Sequence, residues 1–176
     1  MKSWRHVTAR AAVSGSLASL TSTLVLLLLG ERENGRPLGP VNAPSHWVWG
    51  ERALRQDGAS ARYTATGFAI HHLASLLWGG LHERYSPCRQ RRDAPARLVL
   101  RDAAVVTTLA AAVDLKLVAP RLAPGFERRL SPPAVFCVYG AFALGLVAGH
   151  YLLERQAAGR CKLVSSGNKT GNTVSV

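Results

Sequence analysis

The chain has 176 residues, of which 48% are apolar and 18% charged, and a formal net charge of +12. That balance excludes a wholly disordered chain and gives one domain's worth of residues. Three cysteines in no recurring spacing exclude a disulfide framework and a cysteine-based zinc module. The basic excess does not indicate nucleic acid. Of the 22 basic residues 18 are Arg, they lie between long apolar runs, and no nucleic-acid recognition motif is present.

Four stretches are long and apolar enough to cross a bilayer core, which needs about 20 residues as a helix. The first, about 11–30, carries no charge and ends in the run Leu24 to Leu29. Lys2, Arg5 and Arg10 precede it as in a signal peptide. No small-x-small cleavage site follows at Gly30-Glu31-Arg32-Glu33, so the segment reads as an uncleaved first helix.

Residues 31–63 are too long for a simple hairpin connection. Their glycines and prolines predict a long irregular outer loop. Within it, Gly39-Pro40-Val41-Asn42-Ala43-Pro44-Ser45-His46-Trp47-Val48-Trp49-Gly50 sets two indoles close together, a pattern suited to the membrane interface. Asn42 or Ser45 is a candidate cap for a short helix there. The bland reading is an anchored surface loop. The sharper one is a lid over a pocket between helices, with Asn42, His46 and Trp47 as candidate site residues.

The second span, about 64–81, sets Thr64, His71, Ser75, Trp78 and His82 on one stripe at helical spacing. His72 lies about 100° away. The third, about 98–118, ends before Pro120 and puts Asp114 on a face with Ala103, Thr107 and Ala110. The fourth, about 134–153, follows Pro132-Pro133, which suit a helix start. Cys137 is expected to be buried in it. Small residues at four-residue spacing are expected to mediate close helix packing: Ala11, Gly15 and Ser19; Ala103, Thr107 and Ala111; Ala141, Gly145 and Gly149. Residues 161–176 read as a disordered tail.

The fold class expected is therefore all-α, an integral membrane four-helix bundle over residues 1–160. Twelve basic residues fall on the side of the two termini and eight on the other, so both termini are expected in the cytoplasm. Cys88 and Cys161 then face a reducing compartment.

Ionisable groups inside a membrane are expensive and therefore suggestive. For His71, His72 and Asp114 four readings compete: hydrogen-bonded helix packing, a proton or ion relay, haem or metal ligation, and catalysis. His71 and His150 lie at different depths, which disfavours a paired haem site, and no catalytic or phosphate-binding motif is present. The expectation is a non-enzymatic structural or accessory protein without cofactor or metal, partnered by the lipid bilayer, with a second copy or a membrane subunit as a further partner and no nucleic acid. The alternative is a small transporter or ligand-binding membrane protein whose polar site is built from His71, Asp114 and the 39–50 loop. The segment Gly39 to Trp47, followed by His71-His72 in an apolar span, resembles small four-span bacterial inner-membrane proteins of unassigned function. That resemblance implies fold and location only.

Overall fold

A computed structural model describes residues 4–86 and 94–170, with side chains to Gly159. Lys2, Cys88 and the Arg89, Arg91 and Arg92 cluster lie outside the described residues, as does the tail from 171. The described chain is all-helical, without strands. Its elements are α1 (Trp4–Asn34), α2 (Leu38–Asn42), α3 (His46–Trp49), α4 (Thr66–Tyr85), α5 (Ala96–Ala112) and α6 (Pro132–Thr170).

Helix α1 is the element against which both α4 and α6 pack, and α5 leans on α6 and, less extensively, on α4. Small residues make these approaches possible. A Cβ added at Gly79 would stand 2.9 Å from the Gly15 Cα, one added at Gly145 2.4 Å from the Ala18 Cα, and one added at Gly149 2.6 Å from the Ser14 Cα. Backbones that close leave no room for side chains. Thr21 adds a bond across the α1–α6 contact, its Oγ1 lying 2.9 Å from the Ala141 carbonyl.

Polar and apolar groups share the interior. Ser14, Ser19, Ser22, Ser75, His82 and Thr107 are buried alongside Leu26, Phe126, Phe142 and Leu146, whereas Leu24, Leu73, Leu109 and Leu144 are each more than half exposed (55%, 64%, 54% and 61%). Two helices, Trp4–Asn34 and Pro132–Gly159, are long and apolar enough to cross a membrane. Helix α4 carries His71, His72, His82, Glu83 and Arg84, and α5 has only 17 residues before a π-helical turn at Val113–Leu117.

Three expectations change. The segment 31–63 is not irregular. It folds into α2, a 3-10 turn at Ala43–Ser45, α3, a 3-10 segment at Gly50–Arg55 and a π-helical turn at Ala61–Ala65. Pro40 and Pro44 sit early in their turns, where a fixed φ favours helical geometry and no N–H is missed. Neither Asn42 nor Ser45 makes a side-chain cap; the Ser45 hydroxyl instead donates to the Asn42 carbonyl at 2.7 Å. Cys137 is exposed rather than buried, because the inward face of α6 there runs through Ala134, Val135 and Val138. Finally, α6 continues to Thr170, past the start of the expected tail, since no proline interrupts it after Pro133.

The outer segments are tied down by charge. Asp57 accepts from both Arg36 and Arg129. Arg129 also donates to the Leu54 carbonyl at 2.8 Å, and Glu33 accepts from the backbone and hydroxyl of Ser131. Beneath them Leu26, Val41, Leu54, Phe126, Leu130 and Val138 form an apolar cluster.

Candidate functional site

Below the 39–50 segment the helices line a cavity with about 60 Å³ open to the centre of a water molecule. Its walls come from every long helix: Ser22 from α1; Ile70, His71, Ala74, Ser75 and Trp78 from α4; Ala110 from α5; and Val138, Tyr139 and Phe142 from α6. Asp114 enters from the π-helical turn that continues α5. Such turns widen a helix locally and recur at functional sites. Pro44 and Trp47 border the top from one connecting segment, and Pro124 and Phe126 from the other.

Two polar pairs stand in this largely apolar chamber. The His71 Nε2 lies 2.8 Å from the Ser22 Oγ. The same hydroxyl lies 2.7 Å from the Ala18 carbonyl of its own helix, so Ser22 joins His71 to α1. On the other side the Tyr139 hydroxyl donates to Asp114 Oδ2 at 3.1 Å. The Asp114 Oδ1 makes no hydrogen bond, and no basic side chain pairs with Asp114 among the described residues.

The remaining candidates divide. Trp47 belongs to the cavity roof, and its indole N–H donates to the Ala123 carbonyl at 2.8 Å, stitching the two outer segments together. Asn42 does not line the cavity. Fully buried, it donates to the carbonyls of Gln56 and Gly58 at 2.9 and 3.0 Å and accepts from Thr64 at 2.7 Å, which makes it the clip that joins α2 to the chain leading into α4. His46 is also buried off the cavity, its Nδ1 2.9 Å from the Ala43 carbonyl. His72 stacks on Phe68 with ring centroids 5.6 Å apart and does not line the cavity.

Sequence reasoning missed Ser22 and Tyr139, the two hydroxyls that hold His71 and Asp114. The available signal for Tyr139 was a phenol in the midst of an apolar span. It also missed a polar cluster at the opposite end of the helices. There Arg10 bonds both Glu83 and Glu154 at 3.0 Å, with Glu83 buried. His82, bonded to the Ser86 hydroxyl at 2.9 Å, is buried beside it in sequence. Among the described residues no three His, Cys, Asp or Glu side chains converge as a metal-binding group. No family model, no curated protein and no solved structure matches this chain.

Proposed function

We propose that this chain is a polytopic protein of a bacterial cytoplasmic membrane that binds a small ligand, without chemistry, in the cavity between His71 and Asp114. In this reading α1, α4, α5 and α6 form a four-helix bundle across the bilayer with both termini in the cytoplasm. The surface of the helices supports it. All four carry exposed leucines, where lipid would meet them, while Ser14, Ser19, Ser22, Ser75 and His82 face inward. Aromatic side chains also lie at both ends of the helices, Trp4 and Tyr85 at one and Trp49 at the other, as at two membrane interfaces.

The observation that carries the ligand-binding reading over a purely structural role is the cavity itself. A packing role for His71 and Asp114 needs only a filled helix contact. Here both residues border open space, beneath a roof supplied by Trp47. Mostly apolar lining with a few convergent polar groups is the usual composition of small-molecule sites.

The test is binding to the purified protein in nanodiscs, read from tryptophan emission, because Trp47 and Trp78 line the cavity. A panel of small alcohols, amines and carboxylates is titrated. At least one class changes the emission saturably, and Ala110→Phe, which fills the cavity, removes the response while leaving the helical circular dichroism intact. No saturable response to any class overturns the reading.

A further inference from the structure

The lining chemistry narrows the ligand. Trp47, Trp78, Phe126, Tyr139 and Phe142 surround the space with aromatic rings. The carboxyl group among them is Asp114, which has one oxygen engaged by Tyr139 and the other free of hydrogen bonds among the described residues. Lys116, two residues on, lies on a neighbouring groove together with Glu127, so that groove holds one charge of each sign.

Ligand classes can be weighed against this lining. An anion would meet the Asp114 carboxylate, and the lining holds no Lys or Arg. A hard inorganic cation needs six or so oxygen ligands, and the side-chain oxygens of this lining are only those of Asp114, Tyr139, Ser22 and Ser75. A neutral apolar molecule would cover the second carboxylate oxygen without offering it a partner. An organic ammonium ion satisfies both features together. Its diffuse positive charge is attracted by aromatic ring faces, and its methyl groups fill apolar space without requiring hydrogen bonds.

Resting on the ligand-binding reading above, we infer that the cavity selects a small organic ammonium ion, with Asp114 as its counter-charge and the surrounding rings as its cage. His71 is then a positioning residue, held by Ser22 on the wall that α4 contributes.

Two probes of nearly identical shape separate charge from size: choline and its uncharged carbon analogue, 3,3-dimethylbutan-1-ol. Both are titrated against the wild-type protein in nanodiscs by tryptophan emission. Choline binds at least about tenfold more tightly, as expected when cation–ring and carboxylate attraction both act. Asp114→Asn brings the two probes to within about threefold of each other, while Tyr139→Phe, which keeps the ring and the carboxylate, preserves the preference for choline. Equal binding of the two probes to the wild type overturns the ammonium inference and leaves the ligand-binding reading standing. Absence of binding by either probe, together with silence across the wider panel, overturns both. If Asp114→Asn does not fold, the wild-type comparison still decides, and Ala110→Phe reports whether the binding occurs in this cavity.

Discussion

Replacing Gly145 by alanine tests the helix contact that frames the cavity. The added Cβ would stand 2.4 Å from the Ala18 Cα, 2.5 Å from the Thr21 Oγ1 and 2.7 Å from the Ala18 backbone nitrogen. Carbon atoms pack at about 3.5–4.0 Å, so α1 and α6 must part by about 1 Å. Two of these neighbours are backbone and cannot rotate away. Overpacking of this kind costs about 1–3 kcal/mol, and displacing Thr21 from the Ala141 carbonyl adds about 1 kcal/mol. Alanine's higher helix propensity returns up to about 1 kcal/mol. Gly140, on the same helix, is the control, because a Cβ there meets nothing within 4 Å. Gly140→Ala collects the propensity gain alone. The two variants should therefore differ by about 2–4 kcal/mol, with Gly145→Ala the less stable. Equilibrium unfolding in mixed micelles, followed by far-ultraviolet circular dichroism, measures this difference. Equal stability of the two alanine variants would refute the argument that α1 and α6 meet backbone to backbone.

At the opposite end of the helices, Arg10→Met withdraws the guanidinium from buried Glu83 and from Glu154 and should destabilise the fold by about 3–5 kcal/mol. Arg10→Lys, which keeps the charge but not the two-pronged reach, should lose less; the same unfolding assay compares them. Asn42→Ala removes three part-buried hydrogen bonds and should cost about 2–4 kcal/mol. Its signature is faster limited proteolysis within residues 50–60, with the helical signal of the long helices kept. Trp47→Phe loses the bond to the Ala123 carbonyl, worth about 1 kcal/mol, while keeping a ring in the roof. Backbone amides around 120–126 should exchange hydrogen faster in that variant, with those of α1 unchanged.

The long helices and their inward faces were legible because both signals are periodic. His71, Ser75 and Trp78 share one stripe at helical spacing, and all three line the cavity. Asp114 continues the buried face of Ala103, Thr107 and Ala110. The small-residue spacing at Gly15, Gly145 and Gly149 marked close contacts, but spacing alone does not say between which surfaces. The structure uses all three within the chain. What stayed illegible depends on tertiary partners. Asn42 reads equally well as a ligand group or as a clip, and only the positions of Gln56, Gly58 and Thr64 decide it. The outer segment misled because proline and glycine suggest irregular chain, whereas early prolines also start short helical turns. Tyr139 and Asp114 lie 25 positions apart on different elements, so no local pattern joins them.

The most direct measurement of the central claim combines sidedness with the cavity. In a background of Cys88→Ser, Cys137→Ala and Cys161→Ser, single cysteines are placed at Ala74, which lines the cavity, and at its neighbour Leu73, which is 64% exposed on the outer surface of the helices. Intact spheroplasts are treated with a small, cationic, membrane-impermeant methanethiosulfonate. The account predicts modification of Ala74→Cys from outside, slowed by Ala110→Phe, and no modification of Leu73→Cys, which the proposed bundle would turn toward lipid. Reaction at Leu73→Cys, or reaction at Ala74→Cys only after permeabilisation, would contradict a membrane-embedded cavity that opens beneath the outer segment.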